Sequence, residues 1–516
     1  MLDSSLQLPL LLLSLILIIS GAGLANKPGT KSVWLIICGA FLLRVFMAQL
    51  DPFLNLWDER YHALVAKNML CFPLKPMLYV NPVLPYNFED WQHNNIWLHK
   101  QPLFLWQIAL FYKLFGVNEF VLRLPGVLMS TATVYFTFRL GKLLVNEKVG
   151  VYGAFLFALS FYSLELVSGV MSMEHNDTAF LFYTIASIWS WVEYKRLKQK
   201  RWLILIGIFS GCAILVKWLT GLLVFAGWGL TILASKQQRF SLKAYLPLGF
   251  SFIVSLVIFL PWQLYISYWF PRESAYEYAY NAKHIFEAVE GHGGTVWFHL
   301  QNLTNLYQPL IAFLIPIGLF LLFRRLKTNY YRIMVFASVF IIYFFFSVIV
   351  ATKLPSYVFV IAPLLFLGVG TLLYELENLV KLYAPFQRIG YFVFLSILLL
   401  TGWFTLNINQ IWFFHTEYNY YGINNYREAQ NHNVAVYKSI PGMLWGEDYV
   451  IFNCKPKEHI ELMYYSNLTG YDFVPKEKEL QRLKAKKLRI AIFDDGKLPD
   501  YIMLDNSIFK IKEQLM

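Results

Sequence analysis

Apolar residues in this chain come in long unbroken runs. They show neither the alternation of a half-buried strand nor the one-sided stripe of a surface helix. "LQLPLLLLSLILIISGAGLA" (6–25) and "VWLIICGAFLLRVFMAQL" (33–50) are the first two, and similar runs recur to about residue 411. About 18 to 20 apolar residues at 1.5 Å rise cross the hydrocarbon core of a bilayer. The pattern predicts spans at roughly 6–25, 32–50, 124–144, 149–167, 178–194, 202–217, 220–235, 245–266, 307–323, 333–351, 357–374 and 389–411. The short alternating segments of a transmembrane barrel are absent from the sequence. "PLFLWQIALFYKLFG" (102–116) is apolar but short, and its Trp and Tyr suit a helix lying in the interface. The pattern changes after 412. "YVIFN" and "LRIAIFDD" read as strands, "KEHIELMYYS" and "EKELQRLKAKK" as helices, which predicts a small α/β domain. The expected organisation is an extra N-terminal helix (1–31), a transmembrane body (32–411) with outer loops 51–123 and 267–306, and an extracytoplasmic α/β domain (412–516).

Composition agrees with a membrane protein. Of 516 residues 57% are hydrophobic and 15% charged, against about 25% charged in soluble domains, and the mean hydropathy is +0.48. The net charge of +12 raises nucleic acid as a partner, but the basic residues sit in short loops such as Lys195–Arg201 and Arg324–Arg332, where they orient helices. No nucleic-acid partner is expected. The first apolar run resembles a signal-peptide core, yet Asp3 precedes it without Lys or Arg, so it reads as a retained helix with its amino terminus outside. With the basic loops cytoplasmic, residues 51–123, 168–177, 267–306, 352–356 and the chain after 412 fall on the outer side. Cys38, Cys71, Cys212 and Cys454 show no metal or redox spacing, and a Cys71–Cys454 bridge is compatible with that topology.

Polar residues gather at the outer ends of the spans. "NLWDERYHALVAK" (55–67) places Asp58 and Glu59 side by side just after an apolar run. The other outer stretches add His93, His99 and Lys100, then Glu174, His175 and Asp177, then Lys283, His284 and His292, and finally Lys353 and Tyr357. Lys217 ends a span in "VKWLTGL". Ionisable groups at membrane depth usually line a cavity. Acids beside cations suit sugar transfer from a lipid phosphate. A carboxylate takes the proton of an attacking hydroxyl, and Lys, Tyr and His stabilise charge on the departing phosphate, which needs no general acid. Blander roles exist for each. Asp58 and Asp177 suit helix N-termini. Glu59 could orient Asp58, bind a metal or pair with Arg60. Lys100, Lys217 and Lys353 could snorkel. His93 and His99, five residues apart in between, do not share a helix face, which favours structural roles.

"WDERYHALVAKNM", "HKQPLFLWQIALFYKLFGVNEFVLRLPGVL", "MEHNDTAFLFY", "LVKWLTGLL" and "TKLPSYVFVIAPLL" occur in that order. Together they resemble the GT-C glycosyltransferases of the protein O-mannosyltransferase and lipid A aminoarabinose transferase superfamily, over about residues 45 to 375. The resemblance implies a GT-C fold, an all-α polytopic membrane protein of about 11 to 13 transmembrane helices with the small C-terminal α/β domain. It implies an inverting transferase in a bacterial inner membrane, with its site on the periplasmic side. The donor would be a polyprenyl-phosphate sugar and the acceptor a hydroxyl of a lipid, glycan or protein, all reached among membrane lipids. Asp58, Glu59 and Asp177 would be the catalytic acids. Lys100, Lys353, Tyr357 and His284 would bind the donor phosphate, and Glu174, Lys283 and His292 would serve acceptor or lid. "KQPL" replaces the family's "KPPL", and "KHIFE" lacks an arginine expected after His284, where Lys283 would substitute. No cofactor is certain; some GT-C relatives use a divalent metal, but the sequence shows no ligand spacing for one. Two other classes remain: a transporter or flippase of lipid-linked saccharides, and a membrane-anchored binding protein whose tail does the work.

Overall fold

The computed structural model describes residues 4–26, 31–171, 175–383, 387–419, 425–444 and 449–516. Among these, six helices are long and apolar enough to cross a membrane: Glu119–Leu144, Lys200–Leu233, Leu242–Trp269, Asn329–Ile349, Pro355–Leu382 and Ile389–Thr416. A bent pair, Glu147–Ala158 and Phe161–Ser168 at 47°, makes seven if taken as one span. The other expected spans are helical too, but shorter or more polar: Ser4–Gly23, Lys31–Met47, Asp177–Leu197 and Pro309–Arg325. Asp177–Leu197 carries Asp177, Glu193, Lys195 and Arg196. The protein is thus a polytopic helical membrane protein, and Pro102–Phe115 is a separate short helix with Leu110, Leu114 and Phe115 exposed.

Lys200–Leu233 is broken where the sequence suggested two spans. A helix over Lys200–Lys217 gives way to a 3₁₀ turn at Trp218–Leu222 before Leu223–Leu233. The Ser210 hydroxyl donates to the Gly221 carbonyl at 2.7 Å. A Cβ at Gly221 would stand 2.9 Å from that of Ala213, so only glycine lets the chain turn back this tightly. The turn points Lys217 into the cavity described below.

The C-terminal segment holds four parallel strands, β1 (Tyr449–Phe452), β2 (Thr469–Gly470), β3 (Arg489–Phe493) and β4 (Ile508–Ile511), in the order β2-β1-β3-β4. β1, β3 and the helices His459–Ser466 and Glu477–Ala485 fall on the segments read from sequence. β2, β4 and the helix Tyr426–Met443 were not anticipated. β2 has two residues, too few to display a period. This unit packs on the stretch 51–123. Arg60 faces Glu461 at 3.6 Å with both side chains buried, and the Tyr112 and Tyr464 hydroxyls meet at 3.1 Å. Arg60 therefore pairs with the C-terminal domain and not with Glu59. All four cysteines are free, so the Cys71–Cys454 bridge does not form; Cys454 is buried and its thiol lies 3.1 Å from the Tyr471 carbonyl.

Candidate active site

Distant stretches converge on a cavity of about 540 Å³, lined among others by Trp57, Asp58, Trp91, Lys100, Asp177, Lys217, Tyr280, His284, Glu290, His292 and Tyr357. The helix Asp58–Asn68 starts at its rim. Trp57, the residue before it, has φ +67°, a strained backbone for a bulky side chain and one often stored at functional sites. The Trp57 ring packs under the Lys457 ammonium, 4.1 Å from the ring centroid. Neither Asp58 nor Asp177 provides a side-chain cap; the N-cap positions are Trp57 and Asn176. Their carboxylates turn to lysines instead. Lys100 Nζ lies 2.8 Å from Asp58 Oδ2, and Lys217 Nζ contacts Asp177 Oδ1. Burial disfavours the charge on Lys100, but Asp58 beside it more than compensates and holds the ammonium above its ordinary range. Lys217 also stands 4.8 Å from the Tyr357 ring centroid. Behind the acids, His62 Nδ1 and His175 Nδ1 meet at 3.1 Å, joining the segments that carry them.

The loop 267–306 closes one wall. Its helix Pro271–Phe286 ends against residues 351–353: Thr352 N donates to the His284 carbonyl at 3.0 Å and Lys353 N to the His292 carbonyl at 2.8 Å. This brings His284, His292 and Tyr357 together. Burial, with Lys100 and His99 nearby, lowers the His284 imidazole to about 4, so it is neutral at pH 7.

The other sequence candidates stand elsewhere. Glu59 is fully buried and does not line the cavity; it accepts from Arg123 Nε at 2.7 Å, Arg123 Nη2 at 3.2 Å and Asn55 N at 2.6 Å. Lys353 is buried and donates to the carbonyls of Phe346 (2.7 Å), Ser347 (2.9 Å) and Val350, closing the end of the π-helical turn Phe345–Ile349. Lys283 is exposed and is not part of the lining. Glu174 lies outside the described residues. Reading the sequence underrated Lys217 and missed Glu290, which accepts from Trp91 Nε1 (3.1 Å) and Tyr280 Oη (2.9 Å) across the cavity wall. A lysine at a helix end gives no local sign of a partner, and Glu290 reaches its neighbours only through the loop fold.

Gly169 fits tightly beside Glu59. Its φ is +89°, and a Cβ there would stand 2.2 Å from Glu59 Oε1. We expect Gly169→Ala to lower thermal stability by about 1–3 kcal/mol from the left-handed backbone alone, with a further loss as Glu59 is displaced. Thermal unfolding of the purified protein checks this.

A bundle of long apolar helices, with a polar cavity walled by the loop 267–306 and a separate α/β unit packed on residues 51–123, is the architecture of a GT-C membrane protein. The comparisons agree. The family model "Dolichyl-phosphate-mannose-protein mannosyltransferase" matches residues 99–265. An uncharacterized protein of Aquifex aeolicus is 27% identical over 58% of this chain and 56% of its own length. An undecaprenyl phosphate-alpha-4-amino-4-deoxy-L-arabinose arabinosyl transferase of Pseudomonas fluorescens is 24% identical over 54% and 49%. The chain spans about half the length of these curated relatives. The fold of ArnT from Cupriavidus metallidurans bound to undecaprenyl phosphate is similar, with TM-score 0.65 at 15% identity over 93% of this chain and 92% of that one. The archaeal oligosaccharyltransferase AglB from Archaeoglobus fulgidus gives 0.56 at 12% identity over 85% and 64%. Part of the chain, residues 99–265, thus resembles the mannosyltransferase family, and the fold as a whole is that of the solved GT-C structures.

Proposed function

We propose that the protein is an inverting glycosyltransferase that moves a sugar from a polyprenyl-phosphate donor to a hydroxyl of a lipid, glycan or protein, at the outer face of a bacterial inner membrane. One observation carries the reading: two carboxylate–ammonium pairs, Asp58–Lys100 and Asp177–Lys217, face one cavity. The acceptor oxygen bonds to the anomeric carbon as the bond from that carbon to the phosphate oxygen breaks. The acceptor proton passes to Asp58, and the phosphate leaves with the bonding electrons. The phosphate competes for Lys100. As Lys100 turns toward it, the Asp58 carboxylate is released from the ion pair to face the acceptor hydroxyl, so donor binding itself readies the base. Asp177 with Lys217 positions sugar or acceptor, and Tyr357 and His284 complete the phosphate side. Glu59 and Lys353 support the site from outside the cavity.

The direct test is whether the purified protein in nanodiscs consumes a polyprenyl-phosphate sugar with no transmembrane gradient. A transporter would leave the donor intact. His284 gives a second test. Its pKa of about 4 lies below the ordinary 6.5. A bound anionic phosphate stabilises the imidazolium and raises that value, so binding takes up a proton. Donor affinity, measured on the Asp58→Asn variant so that no turnover intervenes, is therefore expected to rise as pH falls toward 4. The donor phosphodiester keeps one charge throughout, and His284→Gln flattens the profile. A flat wild-type profile removes His284 from the phosphate site.

A further inference from the structure

Away from the cavity, the stretch 51–123 meets the C-terminal domain through His93, His459 and Asp472, whose ligand-type atoms all lie within 4.8 Å of one another. His93 Nε2 is 3.1 Å from both Asp472 oxygens, and His459 Nδ1 is 3.4 Å from Oδ2. Ligands about 2.0–2.1 Å from a tetrahedral zinc stand roughly 3.3 Å apart, so these gaps, which also suit hydrogen bonds, leave the three groups spaced to share a cation. The two imidazoles lie nearly parallel, centroids 4.8 Å apart, against that one carboxylate. His459 is wholly buried, its Nδ1 faces only the Asp472 carboxylate and its Nε2 makes no hydrogen bond, an arrangement that costs free energy unless something else satisfies it. His93 Nδ1 lies 2.8 Å from Asp90 Oδ2, which leaves Nε2 toward Asp472 in the carboxylate–histidine–metal pattern of bound zinc. The Lys457 backbone N–H, donating to Asp472 Oδ2 at 2.7 Å, fixes the carboxylate. His93 is one-third exposed, which gives a cation a way in and a water the fourth position.

We propose that His93, His459 and Asp472 form a zinc-type site that clips the stretch 51–123 onto the C-terminal domain. Two imidazoles and one carboxylate suit zinc and its late first-row neighbours over magnesium or calcium, which prefer all-oxygen shells. The metal does no chemistry on substrate. It holds the stretch that leads through Trp91 to Lys100, and the assignment stands whether or not the cavity transfers sugar.

The test uses full-length protein in nanodiscs, stripped with a chelator and titrated with Zn²⁺, or with Co²⁺ for its visible absorption. One metal per chain is expected at this site. His93→Gln and Asp472→Asn should each weaken it on the order of 100-fold, and Asp90→Asn about 10-fold. His284→Gln, in the cavity, should leave it unchanged. Zinc should raise the Tm of the wild type but not of His93→Gln. Gel filtration confirms that each variant is folded. No metal on the wild type, or equal metal on wild type and on folded His93→Gln and Asp472→Asn, overturns the proposal.

Discussion

Asp58→Asn is expected to cut sugar transfer by about 10²- to 10⁴-fold, the usual worth of a general base, while the protein stays folded and binds donor at least as well as before. Asn keeps the size and hydrogen-bonding capacity of Asp but cannot take a proton. The 2.8 Å contact shows what else changes: Lys100 loses its counter-ion and becomes fully available to phosphate. The loss should therefore fall on kcat with KM for donor unchanged or lowered, a split that a merely structural residue would not produce. Steady-state kinetics with a mass-spectrometric readout of the lipid product measure both. Full activity in this variant would move the base elsewhere, with Asp177 next in line because it too faces the cavity beside a lysine.

Glu59 is expected to behave in the opposite way. Its carboxylate and the Arg123 guanidinium are both fully buried, and Arg123 also donates to the carbonyls of Ala48 (3.1 Å), Asp51 (2.7 Å) and Phe53 (2.9 Å). These bonds shape the turn leading into the Asp58 helix. Removing one member of a buried pair strands the other charge, at a cost of about 3–5 kcal/mol. Glu59→Gln and Arg123→Met should each lower the unfolding midpoint sharply, and the double variant should lose less than the sum of the two. A Glu59→Gln protein with a wild-type midpoint but no transfer would instead place Glu59 in the chemistry, as the resemblance implies.

The C-terminal domain also reads differently once its contacts are known. Read from sequence, deleting 413–516 is a clean way to ask whether the tail does the work. The fold makes it a poor separation, because the deletion strips Arg60 of Glu461 and Tyr112 of Tyr464, both from buried settings. Loss of activity in that truncation would report broken packing as readily as a functional tail. Point variants at the interface are the sharper tool.

The sequence by itself determined the helical membrane architecture, since runs of 18 or more apolar residues have few alternatives to crossing a bilayer. It also determined the strands β1 and β3 and the presence of acids and lysines at the span ends. Only the tertiary structure decided how those charges are shared. Asp58 and Glu59 are neighbours in the chain, yet a helix turns about 100° per residue. One carboxylate therefore faces Lys100 and the cavity, while the other faces Arg123 and the protein interior. Lys217, which looks like a snorkelling residue, meets Asp177 because the helices Asp177–Leu197 and Lys200–Lys217 pack side by side, with Asn176 Nδ2 donating to the Val216 carbonyl at 3.2 Å. Lys353, which looks like a phosphate ligand, is consumed by three backbone carbonyls at a helix end. Pairing is a property of distance and direction in three dimensions, and residue type and spacing along the chain carry neither for groups so far apart in sequence.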